Sequence, residues 1–330
     1  MKIVNITIFC LFLTYSSAQC DENFNFWLKT FSKRAIENGI STKTVNSVLM
    51  NAKFLPNVIK YDRYQPEFYE DTKTYVSKRA NNKRVQQGIK LYNKHKTVIN
   101  KIENEFSVEK ELLLSLMAIE TNYGKYVGKM DIISSLATLS FDKRRSEFFS
   151  KELLTALKLI DMDLIDGKKL YGSWAGAFGY FQFMPSTIDN HAIDYDVNNV
   201  IELKSIKDSF ASAANYINKI GWKQNEPCFK KIILEDDIPT KFLNTSAKKI
   251  RYKKKLKFFK KFIKNYKDIN INENYKAAII TPDMDIVENA NKLMPAYLVF
   301  NNYELVLKWN RSLRFGLAVC TLKRSIYNEL

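Results

Sequence analysis

Apolar residues recur at helical spacing along most of this chain. Phe24, Trp27, Leu28, Phe31 and Ala35 form one stripe within residues 24–48. Gly39 predicts its end, and Ser41 a cap for the next helix. Residues 54–68 hold Pro56 and Pro66 and read as a linker. Val85, Ile89, Tyr92, Ile99, Ile102 and Phe106 make a second helical stripe. Ser107-Val-Glu-Lys-Glu111 then offers a capped start for an apolar helix over 112–119. Gly124 and Gly128 interrupt the pattern, and further helices are predicted over roughly 144–164 and 207–220, the latter ending at Gly221-Trp222. No strand–helix alternation of the doubly wound kind is present, so the fold class is mainly α. Residues 241–267 carry 12 Lys and Arg and no acid. Tyr252, Leu256, Phe259, Ile263 and Tyr266 are spaced as one face of a basic amphipathic α-helix, either packed on its own core or turned to an anionic surface.

Composition adds a partner class. The 330 residues carry a formal net charge of +17, which suits an anionic polymer, nucleic acid or membrane surface. The N-terminus narrows this. Lys2, an apolar run over 3–15 and Ser16-Ser17-Ala18 resemble a secretory signal peptide with cleavage after Ala18, too short for a spanning helix. Lipid attachment at Cys20 is the less favoured alternative, because Gln19 precedes it badly. An exported protein rarely meets nucleic acid, leaving a wall polymer or a peripheral contact with membrane. Removal of the signal leaves Cys20, Cys228 and Cys320, enough for one internal disulfide of unspecified pairing. Two histidines without a cysteine pair nearby give no zinc site.

One residue stands out chemically. Leu113, Leu116, Met117 and Glu120 lie at i, i+3, i+4 and i+7 and share a helix face. Burial of such a carboxyl disfavours its charge and equips it as a general acid. By spacing alone, a paired structural carboxylate accounts for it as well.

The surrounding motifs bear on that choice. They are Glu120-Thr-Asn-Tyr-Gly124, Leu136-Ala-Thr-Leu-Ser-Phe141, Arg144-Arg145, and the block from Gly172 to Ser186, GSWAGAFGYFQFMPS. Ala214-Asn-Tyr216, Gly221-Trp222 and Trp309-Asn-Arg-Ser312 follow, and Asp62-Arg-Tyr-Gln-Pro-Glu-Phe68 precedes them. In this order and spacing the chain resembles the lytic murein transglycosylase B family, glycoside hydrolase family 103. The likeness covers about residues 24–222 and 296–326. It implies a lysozyme-like helical catalytic core with flanking helical segments. The expected organisation is a signal peptide over 1–18, an N-terminal helical segment over 19–82, the core over 83–225, a divergent basic region over 226–295, and a segment over 296–330 completing the groove.

The resemblance also implies the reaction. Such enzymes cut the β-1,4 bond between N-acetylmuramic acid and N-acetylglucosamine of peptidoglycan and leave a 1,6-anhydromuramoyl end. Glu120 matches the catalytic carboxylate, acting first as acid and then as base toward the muramoyl C6 hydroxyl. The sugar supplies its own nucleophile, so no second carboxylate and no cofactor are required, unlike the general two-carboxylate scheme. Ser173 matches a serine that orients the N-acetyl group, and Gln182 a glutamine on the saccharide groove. Tyr75, Tyr216 and Asn310 match site positions. Arg144 and Arg145 match an arginine pair that meets muropeptide carboxylates. Gly176 and Gly179 suit either close sugar approach or tight turns. A monomer is expected.

Two departures qualify the match. The family often has Tyr-Asn where this chain has Trp309-Asn310, so any hydrogen bond from a phenolic hydroxyl there is in doubt. Some members also bind calcium in an EF-hand-like loop. Here Asp194, Asp196, Asn198, the Val200 carbonyl and Asp208 supply oxygens, but Asn199 replaces the turn glycine and Ser205 stands at position twelve. A polar turn without metal is the alternative. Two rival functions remain: a muramidase in which water attacks instead, and a catalytically silent protein that binds the wall or a membrane surface.

Overall fold

A computed structural model describes residues 4–64, 69–167, 170–284 and 286–330, with side chains from Asp21 onward. The start of the signal-peptide reading, the side chain of Cys20 and the Gln65–Phe68 end of the 62–68 motif lie outside the described residues. Among those residues, no helix is long and apolar enough to cross a membrane. The chain is mainly α-helical and forms two compact units, each from discontinuous pieces: 1–64 with 127–203, and 65–126 with 204–330.

The first unit contains α1 (Val4–Glu37), α2 (Thr42–Ser47), α3 (Pro56–Arg63), α7 (Ile132–Phe141), α8 (Ser146–Asp161) and α9 (Pro185–His191). Ser41 caps α2 as expected, accepting from the Thr44 N–H. Phe24, Trp27 and Phe31 of α1 gather around Phe54 and Phe141 in edge and stacked contacts of 5.0–6.1 Å. The predicted linker is partly a helix instead. Pro56 sits in the first turn of α3, where its missing N–H costs nothing. Hydroxyls of α7 fasten the preceding segment: Ser134 accepts from the Lys53 N–H and Thr138 from the Leu55 N–H.

The second unit contains α4 (Thr72–Arg79), α5 (Asn82–Phe106), α6 (Lys110–Thr121), α10 (Ile206–Lys219), α11 (Asn301–Trp309) and α12 (Leu313–Tyr327). Val85, Tyr92, Ile99 and Ile102 are the buried stripe of α5, as their spacing predicts. The expected side-chain cap does not form. Ser107 takes a left-handed conformation (φ 52°) to close α5, and Glu109 occupies the cap position of α6 without a side-chain cap bond. Helix α6 packs against α12, α5 and α10. Arg314 of α12 is buried and pairs at 2.9 Å with Asp283, which also accepts from the Thr72 N–H at the start of α4.

The basic region is not an α-helix. It contributes to a five-stranded sheet, β3 (Phe229–Ile232), β7 (Ala296–Val299), β6 (Lys276–Ile280) and β4 (Leu243–Asn244) in that order, with β5 (Lys254–Lys255) also on β6. Pairing is antiparallel except β4 with β6. Residues 256–262 form a 3-10 turn segment. Its buried residues, Leu256, Phe259 and Phe262, recur every three positions, the 3-10 period, and join Ile263, Ile279 and Leu298 in the sheet's core. The mixed three-and-four spacing of the apolar set therefore misled: Tyr252 is exposed and Tyr266 only partly covered. Asn244 folds the lysine-rich loop back, accepting from the Arg251 N–H and donating to the Ile279 carbonyl. A disulfide, Cys228–Cys320, ties the start of β3 to α12 with Cα atoms 6.1 Å apart. The two small strands β1 (Met130–Asp131) and β2 (Tyr171–Gly172) pair in the first unit.

Candidate functional site

Glu120 lies in the last turn of α6. Leu113, Leu116 and Met117 on its face are fully buried, which anchors the helix, while Glu120 itself is partly exposed. Burying each such side chain contributes about 1.5–3 kcal/mol. Asn122, Tyr123 and Gly124 all take positive φ (49°, 58° and 83°), so the chain turns sharply just past the carboxylate. Thr121 fixes this turn: its hydroxyl donates to the Met117 carbonyl and accepts from the Gly124 N–H. The Tyr123 hydroxyl is buried and donates to the Arg84 carbonyl of α5. Burial pushes its pKa well above the ordinary phenol value, so it is a structural anchor and not an acid.

The indole N–H of Trp309 donates to Oε1 of Glu120 at 3.0 Å. The position that lacks a phenolic hydroxyl thus still gives a hydrogen bond, from an indole N–H. Trp309 ends α11, and its ring leans on that of Tyr216 from α10, with centroids 5.2 Å apart at 32°. The Tyr216 hydroxyl donates to the Lys308 carbonyl, and burial raises its pKa. Asn310 closes α11, its N–H bonded to the Val306 carbonyl, and Ser312 caps α12 by accepting from the Phe315 N–H. Tyr75 of α4 belongs to the same unit, but its ring is only 4% exposed and is covered by the Arg79 guanidinium at 3.6 Å.

Ser173, Gln182 and the arginine pair belong to the first unit. Ser173 follows β2. Its N–H donates to the Ala177 carbonyl, and its hydroxyl oxygen accepts from the Ala177 N–H. Gln182 has φ 51°, and its amide nitrogen donates to the Gly179 carbonyl at 2.9 Å and the Val127 carbonyl at 3.3 Å. Those bonds hold the side chain and leave the amide oxygen unengaged by them. Gly176 (φ +89°) and Gly179 (φ +80°) are explained internally: a Cβ there would strike Leu136 or Leu203. The turns themselves require glycine.

Both arginines meet one carboxylate, Asp62 of α3. Arg144 Nε lies 3.0 Å from Oδ2, and Arg145 bonds Oδ1. Asp62 is almost wholly buried. Two cations on one anion leave a net positive site. Both arginines also line a cavity of about 500 Å³ with Arg34, Lys143 and Glu147. The signal that could have found Asp62 was its place in the 62–68 motif.

In the candidate calcium loop, Asp194 accepts from the Asn198 and Asn199 N–H groups, and Asn198 Oδ1 accepts from the Val200 N–H. Asn199 takes the left-handed conformation (φ 69°) that glycine would otherwise provide. Ser205, at position twelve, caps α10 by accepting from the Asp208 N–H, and Asp208 is buried in the first turn of that helix. The donors Asp194, Asp196, Asn198, Val200 and Asp208 are all oxygens, the chemistry calcium prefers.

The mainly helical frame is of the lysozyme-like class that lytic transglycosylases share. The chain belongs to the family described as Transglycosylase SLT domain, which it matches over residues 23–324. It is 37% identical over 143 residues to the membrane-bound lytic murein transglycosylase B of Escherichia coli K12, a match covering 43% of this chain and 40% of that protein. The matched stretch thus spans about two fifths of that relative's length. Pseudomonas aeruginosa SltB3, solved in complex with NAG-NAM-pentapeptide, superposes with a TM-score of 0.81 at 28% identity, covering 92% of this chain and 79% of that one. Escherichia coli Slt35, solved in complex with calcium, shares the fold with a TM-score of 0.76 at 24% identity, over 92% and 93% of the two chains.

Proposed function

We propose that the protein is an exported lytic transglycosylase that cuts the MurNAc-β-1,4-GlcNAc bond of peptidoglycan and leaves 1,6-anhydromuramoyl ends. The observation that carries this reading is Glu120 at the end of α6, partly exposed, with an N–H donor on Oε1. Protonated, Glu120 gives its proton to the glycosidic oxygen as the C1–O bond breaks. As a carboxylate, it then takes the C6 hydroxyl proton as O6 bonds C1. The proton balance closes without water.

Supporting roles follow the family positions. Ser173 keeps a hydroxyl proton available to an N-acetyl carbonyl, and Gln182 presents an amide oxygen to a sugar hydroxyl. Tyr216 and Asn310 contribute from beside Trp309. Arg144 and Arg145, positively charged in excess of Asp62, suit the carboxylates of peptide stems. The buried ring of Tyr75 supports the α4 backbone more directly than it offers a sugar contact. The Cys228–Cys320 disulfide is consistent with an oxidising compartment outside the cytoplasm. No step calls on a cofactor. Calcium taken up by the oxygens of the 194–200 loop would be structural, and raising calcium should then raise the melting temperature while leaving chemistry unaltered.

The test is a digest of purified sacculi by the native protein and Glu120→Gln, with products weighed by mass spectrometry. Anhydro-ended muropeptides from the native protein alone are expected. Products heavier by one water would make it a muramidase. Equal, negligible clearing by both proteins would make it a binding protein.

A further inference from the structure

The indole of Trp309 has one polar atom, and that atom only donates. We infer that Trp309 is a positioning residue that divides the labour of the Glu120 oxygens: Oε1 keeps the indole bond throughout, and Oε2 carries and recovers the proton. This inference rests on the reading of Glu120 as acid and base.

The argument starts from the carboxyl group. When protonated, its carbonyl oxygen is a better acceptor than its hydroxyl oxygen. A fixed N–H against Oε1, at 3.0 Å, therefore favours the acid form with its proton on Oε2. A tyrosine hydroxyl in that place could donate or accept, so it would impose no such polarity. The tryptophan that departs from the family pattern replaces an ambivalent partner with a one-way donor.

The bond also strengthens when it is needed. As Oε2 loses its proton to the leaving oxygen, the carboxylate forms and the indole bond becomes charge-assisted. An interaction stronger in the transition state than in the ground state lowers the barrier.

The indole's orientation is set independently of Glu120. Its ring rests on Tyr216 of α10, and the end of α11 is closed by the Asn310 N–H on the Val306 carbonyl. The Tyr216 hydroxyl on the Lys308 carbonyl joins the two helices at the same level. The donor is in place before any saccharide binds.

The experiment compares Trp309→Phe, Trp309→Tyr and Glu120→Gln with the native protein. It measures kcat, KM, sacculus binding and melting temperature. Trp309→Phe should lower kcat about 10- to 100-fold, the worth of a hydrogen bond to a charged group. KM and sacculus binding should stay within about twofold, as for an interaction realised in the transition state. Trp309→Tyr, whose hydroxyl can still donate to Oε1 but does not only donate, should recover part of the lost kcat and not all of it. Native-like turnover by Trp309→Phe would overturn the inference. So would equal losses in the Phe and Tyr variants, or a raised KM at unchanged kcat. If Trp309→Phe fails to fold, benzothienylalanine at position 309 keeps the ring shape and puts sulfur where the N–H was. The same loss of kcat is expected, and full activity would overturn the proposal. Native-like turnover by Glu120→Gln would instead defeat the parent reading, whereas an inactive Glu120→Gln beside a fully active Trp309→Phe would defeat this inference alone.

Discussion

The two ends of α6 each carry a glutamate bonded by an indole, and the two sit in opposite environments. At the N-terminal end, Glu109 is buried. It accepts from the Trp222 indole N–H at 2.5 Å and the Asn225 N–H at 3.1 Å, and it pairs with Lys323 of α12 at 3.0 Å. Burial alone would push its pKa up, but Lys323 and these hydrogen bonds outweigh that and hold it below the ordinary value. The helix dipole favours an anion at that end. At the C-terminal end, Glu120 is partly exposed, receives the neutral N–H of Trp309, and sits where the dipole opposes negative charge. One carboxylate is committed to its charge. On the proposed mechanism, the other takes up and releases a proton. Sharing an indole partner therefore does not make the two sites alike: one is buried at the positive end of the helix dipole, the other partly exposed at the negative end.

The comparison can be broken most directly at the carboxylates. Glu120→Gln should slow sacculus digestion by about 10²–10⁴-fold, the usual worth of a general acid–base group, with little change in melting temperature. A Gln variant that clears sacculi at the native rate would end the contrast. Glu109→Ala should do the reverse. Denaturant unfolding should show a loss of about 3 kcal/mol, because Lys323 and the Trp222 N–H lose their partner, while turnover per folded molecule persists. Native stability in this variant would mean that the buried pair is only decorative.

A gentler probe removes one donor from the structural end. Trp222→Phe should cost about 2 kcal/mol of stability, the scale of a hydrogen bond to a charged group, and leave kcat unchanged. A fall in kcat without a fall in stability would show the two ends to be coupled. The smallest effect is acid sensitivity. Because folding depresses the Glu109 pKa, its contribution is fully present above the ordinary carboxylate value of 4.5 and is lost as pH falls through the lower folded value. The stability gap between native protein and Glu109→Gln should therefore narrow as pH drops below about 4.5. A gap that stays constant down to strong acid would count against the charged state of Glu109.

Sequence patterning served the two ends unequally. The face of Leu113, Leu116, Met117 and Glu120 followed from the 3.6-residue period, and all three apolar members are buried. The structural glutamate was not legible. Glu109 lies within the Ser107–Glu111 stretch expected to start α6, and nothing local marks its partners, Trp222, Asn225 and Lys323, up to 214 residues away. Likewise Asp62, which binds both Arg144 and Arg145, gave only the sign of being in a motif. The basic segment failed for a different reason. A few apolar residues spaced three and four apart fit an α-helix or a 3-10 segment, and the sheet core made by β6 and β7 selected the latter.

By itself, the sequence determined the helices with long apolar stripes, the left turn after α10 at Gly221, the candidate carboxylate and the family motifs around it. These depend on local period, caps and glycine conformation, which neighbours in the chain set. Only the tertiary structure decided which indole meets which carboxylate, that Cys228 pairs with Cys320, and that the lysine-rich region closes a sheet. The indole bonds and the disulfide depend on groups 92–189 residues apart meeting within a few ångströms. No local pattern encodes such meetings; they follow from the packing of distant helices, such as α12 and α10 on α6.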